Sequence, residues 1–136
     1  MRCPKGECIM SLLSMENPVF VAYVIAAGLM ILKMMGQGWI TVIRMMRVDG
    51  GLLNPEDLQA GPVNRNPRPD QLEFDDYVDR SRRIQRNDLE NIPGFLAAGV
   101  IFVAAAPSLL LTTILMAAFV LARFAHTIAY TTKQRH

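Results

Sequence analysis

Charged residues are nearly absent from two long stretches of this chain. Between Val19 and Ile43 the only charge is Lys33, and from Asn91 to Ala122 there is none. A small soluble domain needs polar residues on its outward helix faces, so runs of this length point to membrane spans. A span takes about 20 residues at ~1.5 Å of rise each. The first run predicts a helix over about 18–43, with Asn17 as its cap and Pro18 in its first turn.

The second run divides at Ala106-Pro107-Ser108, the one turn signal inside it. Pro107 ends one helix and Ser108 caps the next. The charge-free part before the turn amounts to only ~24 Å of helix, too short to cross. The span therefore extends back through Glu90, Asp88 and Asn87, to about 87–106, with Pro93 a potential kink. A third span, about 109–130, carries Arg123 and His126 at its far end. Between the first two spans, 44–79 is polar and holds NPED (54–57) and GPVNRNPRP (61–69), which predict an irregular loop. The expected fold class is an all-α membrane protein, an antiparallel transmembrane helix bundle forming one membrane domain over 1–136.

Composition narrows this picture little, whereas charge placement orients it. Fourteen basic residues against twelve acidic ones give a net charge of +2, and 51% of the residues are apolar. That excludes a disordered chain and a strongly basic nucleic-acid binder. Eight arginines lie in 44–86, and the Ala106–Ser108 turn carries no charge. Arg2 and Lys5 are offset by Glu7 and Glu16, and Lys133 and Arg135 sit at the C-terminal end. By the positive-inside rule the N-terminus is lumenal, and the loop and C-terminus are cytosolic. Glu7 and Glu16 also argue against a cleaved leader. Cys3 and Cys8 carry no role, the nine methionines read as packing residues, and two histidines make no metal site.

The polar residues inside the spans form a pattern. Counted from the turn, Glu90 and Arg123 are level, ~23 Å away. Asn87 is level with His126, Arg83 with Tyr130, and Lys33 falls near the same depth. Arg83, Arg86, Asn87 and Glu90 are spaced i, i+3, i+4, i+7 and share a helix face. Arg123, His126, Thr127 and Tyr130 repeat that spacing. The two faces are expected to pack together, with Glu90 paired to Arg123 and Asp88 pointing elsewhere. Arg83, Arg86, His126 and either Arg44 or Arg47 then form a cationic surplus beside the Tyr130 hydroxyl. Arginine forks match carboxylates, so a small anion entering from the cytosol is expected; anionic lipid headgroups are the alternative. Asp57 in NPED reads as a turn cap.

RIQRNDLENIPGF (83–95), ARFAHTIAY (122–130) and NPED (54–57) resemble the MAPEG family of membrane-associated eicosanoid and glutathione enzymes. The similarity covers about Lys33 to Arg135 and lies in the branch of microsomal glutathione transferases and microsomal prostaglandin E synthases. It implies a microsomal homotrimer in the endoplasmic reticulum that binds glutathione in a cytosol-facing cleft and takes a lipophilic electrophile or lipid peroxide from the membrane. By the resemblance, Arg83, Arg86, Asn87 and Glu90 are second-helix glutathione contacts, and His126 and Tyr130 third-helix ones. Arg123 closes the network with the second-helix glutamate, a first-helix arginine (Arg44 or Arg47) contributes, and Asp57 matches an aspartate implicated in prostaglandin E synthesis. Arg86, Tyr130 and Asp57 become the candidate catalytic residues.

NDLENI and HTIAY are more like the transferase, whereas Arg86 and Ala125 are more like the synthase. The expected activity is glutathione transfer and peroxide reduction, with prostaglandin E synthesis as the alternative. The family continues beyond this point with an arginine-containing turn and a fourth span, and the sequence ends six residues after Tyr130. Three spans are expected in this sequence, the family's fourth being absent from it, either because the chain is a fragment or splice product or because it has three spans; a truncated, non-catalytic scaffold of the same fold is a further alternative.

Overall fold

A computed structural model describes residues 11–62 and 64–132. Cys3, Cys8, Arg2, Lys5, Glu7, Lys133 and Arg135 lie outside the described residues. Three long helices follow one another, α1 (Pro18–Val48), α2 (Asp76–Ala104) and α3 (Leu109–Thr132). Two short 3-10 turns, Pro55–Leu58 and Pro69–Leu72, lie between α1 and α2. No strand occurs among the described residues.

The helix starts are where the sequence places them. Asn17 Oδ1 accepts the Val19 amide at 3.0 Å, and Pro18 opens α1. Ser108 Oγ accepts the Leu111 amide at 3.4 Å, so α3 begins one residue later. Each cap satisfies a backbone donor that the first turn leaves without a helical acceptor. α2 passes through Pro93 without a break in its assignment and ends at Ala104. Ala106 then turns the chain with a left-handed φ of 51°, just ahead of Pro107.

The helices are longer than the spans expected of them. α1 continues to Val48, and α2 starts at Asp76, inside what reads as loop. α1 and α3, of 31 and 24 residues, are long and apolar enough to cross a membrane. The N-terminal half of α2 is strongly charged.

The chain divides into two compact units, Met1–Met34 with Asp88–His136, and Met35–Asn87. In the first, Val19, Tyr23, Ala26, Ala27, Val103 and Met116 form a buried apolar cluster. Tyr23 is tied in by its hydroxyl, which donates to the Leu96 carbonyl at 2.8 Å.

The second unit is held largely by polar contacts. Gln37 Nε2 donates to Ser81 Oγ at 2.9 Å, and the Thr41 and Ser81 hydroxyls pair at 2.9 Å. These side chains are buried between α1 and α2. Where lipid removes the hydrophobic drive between helices, such bonds and close small-residue packing do the joining. The connecting segment is ordered by Gln71, which is 3% exposed. Its amide nitrogen donates to Asp49 Oδ1 at 3.1 Å, and its side-chain oxygen accepts from Asn64 at 2.8 Å and from the Arg68 amide at 3.1 Å. Gly51 sits at φ 70°, and a Cβ there would lie 3.0 Å from Val78 Cγ2. Both the backbone and the space favour glycine at this bend.

Candidate functional site

In the first unit, three charged side chains meet in the interior. Asp88, on α2, is 0% exposed. Lys33 Nζ approaches its Oδ2 at 2.5 Å, and Arg123 Nη2 its Oδ1 at 2.7 Å. The two cationic side chains are 5% and 11% exposed. Each helix contributes one member, so a single carboxylate ties α1, α2 and α3 together. A buried charge is tolerated only when paired and hydrogen-bonded. Asp88 meets that condition with one cation on each oxygen.

His126 lies one turn beyond Arg123 on α3. Its ring is tilted against Tyr130, with centroids 4.5 Å apart. Its Nδ1 is buried and has no hydrogen-bond partner among the described residues. The Tyr130 side chain is partly exposed and makes no hydrogen bond among the described residues.

This geometry corrects one expectation. The buried acid that meets Arg123 is Asp88, and Glu90 is exposed. The cause is helical azimuth. Val78, Ser81, Ile84, Asp88 and Ile92 recur at steps of three and four along α2, and all are buried. The isoleucines before and after Asp88 set that stripe inward, which turns Arg83, Arg86 and Glu90 to the exposed face. Lys33 and Arg123, expected at a common depth, do meet, on the two oxygens of Asp88.

In the second unit the arginines differ in their commitments. Arg44 is buried, donates to the Tyr77 carbonyl at 2.9 Å and stacks over the Tyr77 ring at 4.3 Å. Arg47 is exposed and approaches the Tyr77 hydroxyl at 3.5 Å. Arg83 pairs with Asp79 at 2.6 Å and lies 3.7 Å from Asp76. Arg86 is exposed and forms no hydrogen bond or ion pair among the described residues. Asn87, half-buried, ends the unit.

Asp57 lies in the first 3-10 turn, where its amide donates to the Asn54 carbonyl at 3.0 Å. It lines a cavity of about 420 Å³ together with Met45, Met46, Asp49, Leu52 and Glu56. Its carboxylate accepts no hydrogen bond among the described residues, so it does not cap the turn.

Lys33 and Asp88 are the site residues that sequence reasoning left out. A signal existed for both. Lys33 is the lone charge of the first apolar run and requires a partner, and Asp88 falls on the apolar stripe of α2.

Two helices long and apolar enough to cross a membrane, beside an interior ion cluster, fit a membrane protein. The profile of the MAPEG family matches residues 15–136, and the chain belongs to that family. Microsomal glutathione S-transferase 1 of Sus scrofa is 37% identical over 119 residues, spanning 87% of this chain and 75% of that protein. The Homo sapiens protein of the same name shows the same identity and coverage. Prostaglandin E synthase of Macaca fascicularis is 31% identical over 123 residues, 90% of this chain and 77% of that protein.

Proposed function

We propose that the chain is a single membrane domain that activates glutathione, as its second substrate, for attack on lipophilic electrophiles and lipid hydroperoxides. The observation that carries this reading is the state of Arg86. It is an exposed guanidinium on α2, inside RNDLEN, that pairs with no carboxylate among the described residues. A planar fork held free in this way suits bidentate capture of a ligand carboxylate. Glu90, exposed one turn further on, can accept from a ligand ammonium. Glutathione carries both kinds of group, so the donor set fits it.

In this reading Arg83, Arg86, Asn87 and Glu90, a first-helix arginine (Arg44 or Arg47), and Arg123, His126 and Tyr130 are the binding residues. Glutathione supplies a thiol, with a pKa of about 8.5 in water, as the nucleophile. Arginine charge near the sulfur and the Tyr130 hydroxyl favour the thiolate over the thiol. The tripeptide is held from the cytosol, and the lipophilic partner reaches the same place from the bilayer. The assembly is a homotrimer in the endoplasmic reticulum, with the N-terminus lumenal.

A second reading, glutathione-dependent isomerisation of a prostaglandin endoperoxide, has one observation behind it. The carboxylate of Asp57, which accepts no hydrogen bond among the described residues, lines a cavity of about 420 Å³, where a group that serves only a turn would be hydrogen-bonded to it.

The test is glutathione conjugation to 1-chloro-2,4-dinitrobenzene by the detergent-purified chain, beside Arg86→Ala. Activity lost in the variant supports the transferase. A folded wild type that is inactive here but converts endoperoxide supports the synthase. A folded wild type inactive on both, and on cumene hydroperoxide, leaves a non-catalytic scaffold.

A further inference from the structure

Arg44 and Arg47 lie three residues apart near the end of α1, so they share a helix face, and both meet Tyr77 of α2 within the second unit. They meet it differently. Arg44 is buried, donates to the Tyr77 carbonyl at 2.9 Å and lies 4.3 Å over the centre of the Tyr77 ring. The two contacts fix its guanidinium, and burial leaves it little surface for a ligand. Arg47 is exposed, and only its Nη1 is engaged, by a long bond of 3.5 Å to the Tyr77 hydroxyl. That leaves Nε and Nη2, one edge of the fork, for a second acceptor. Acids close in sequence to either residue are committed elsewhere. Asp76 pairs with Arg80, Asp79 with Arg83, and Asp49 with Arg68.

We infer that Tyr77 is a positioning residue that divides the arginine pair: its ring and carbonyl hold Arg44 as a structural tether, and its hydroxyl steadies Arg47, the first-helix arginine that takes a glutathione carboxylate. This rests on the glutathione reading above, and it assigns to Arg47 the contact which that reading leaves between two residues. Tyr77 acts through Arg47 and need not touch the ligand. A long, mobile arginine side chain loses rotamer freedom when it binds, and that loss weakens binding. A hydroxyl that holds one nitrogen beforehand reduces the loss. Being uncharged, it does so without neutralising the guanidinium, as a carboxylate in its place would. The simplest competing role for Arg47 is to complement the C-terminal end of α1, where a cation is favoured. That role shows in stability and not in glutathione affinity.

The experiment compares wild type, Arg47→Ala, Tyr77→Phe and the double variant, each as the full chain in detergent. It measures glutathione KM, kcat at saturating glutathione, and the melting temperature. Tyr77→Phe keeps the ring and carbonyl that hold Arg44 and removes only the hydroxyl. Arg47→Ala raises the glutathione KM by about tenfold or more, through loss of a charge-assisted bond. Tyr77→Phe raises it by about two- to fivefold, because the arginine must then be ordered on binding. In both, kcat at saturation stays near wild type, as expected when ground and transition states lose the same contact. In the double variant the tyrosine change adds nothing to the effect of Arg47→Ala, since no guanidinium is left to steady.

A folded Arg47→Ala with wild-type KM overturns the inference, whatever its melting temperature. So does a wild-type KM in Tyr77→Phe, or a tyrosine effect that persists undiminished in the double variant. If Arg47→Ala fails to fold, Arg47→Lys decides, because it keeps the charge and loses the fork: a raised KM supports the inference and a wild-type KM overturns it. A folded wild type that neither turns over nor retains glutathione in equilibrium dialysis overturns the glutathione reading itself. That result is distinct from an active wild type indifferent to Arg47 and Tyr77.

Discussion

The ring of Tyr23 occupies the place where a Cβ on Gly99 would stand. Small-residue contact of this kind lets two helices approach closely in a membrane. The ring is also anchored, since its hydroxyl donates to the Leu96 carbonyl three residues before Gly99. It cannot swing aside without giving up that bond. Gly99→Ala is therefore expected to lower stability by about 1–3 kcal/mol, the usual cost of overpacking. Tyr23→Phe removes only the hydrogen bond and should cost about 0.5–1.5 kcal/mol. Thermal unfolding in one detergent ranks the two. A Gly99→Ala protein as stable as wild type would show that the helices part easily there.

Asp88 and Glu90 are two residues apart on α2 and should behave as opposites. Asp88 is fully buried between Lys33 and Arg123, and Glu90 is exposed. Asp88→Asn leaves two buried cations without a counter-charge and is expected to cost about 3–5 kcal/mol, or to prevent folding. Glu90→Gln should stay within about 0.5 kcal/mol of wild type, because a surface substitution removes little. Retained secondary structure after mild heating, followed by circular dichroism, distinguishes them. Equal losses in both variants would sink the assignment of Asp88 as the interior acid.

How far the sequence anticipates this arrangement depends on the kind of signal. Asn17 and Ser108 cap their helices as read, because a cap is a local pattern. The common depth of Lys33 and Arg123 was also legible, since rise per residue is constant. The identity of their carboxylate was not read correctly. Depth says nothing about azimuth, and the polar spacing of Arg83, Arg86 and Glu90 runs beside the apolar stripe that carries Asp88 inward. The ordering of the loop by Gln71 was illegible, for an uncharged side chain with partners at Asp49, Asn64 and Arg68 leaves no periodic trace. The extension of α2 back to Asp76 is similar. Its first turns are charged and owe their order to contacts such as Asp75 Oδ1 accepting the Val78 amide at 2.8 Å.

Arg86 and Arg83 test the functional reading against simple surface electrostatics. Arg86 has no partner among the described residues, whereas Arg83 is bound to Asp79 at 2.6 Å. Arg86→Ala should leave stability within about 0.5 kcal/mol of wild type. Under the proposed function it should cut conjugation by at least about tenfold, through loss of a charge-assisted bond of roughly 1.5–3 kcal/mol. Steady-state kinetics with both substrates varied, beside a melting curve, reads both effects. Wild-type conjugation in Arg86→Ala would remove the observation on which the glutathione reading stands.

Asp76 gives a pH-dependent prediction outside the apolar segments. It opens α2, where a negative charge complements the helix N-terminus. The hydrogen bond from Arg80 holds its carboxyl below the ordinary value, and slight desolvation opposes that shift. A carboxylate whose folded pKa is depressed contributes stability that is fully present above the unfolded value, about 3.9. The contribution is lost as pH falls through the lower, folded value. Because the group is solvent-exposed the effect stays local. Backbone amides in the first turn of α2 should therefore keep their protection down to about pH 4 and lose it below, after correction for intrinsic exchange. Asp76→Asn should show reduced protection already at neutral pH, with little further change on acidification. Hydrogen exchange followed by mass spectrometry resolves this segment, and a first turn equally protected in both proteins across the whole range would rule out the Asp76–Arg80 pair as its support.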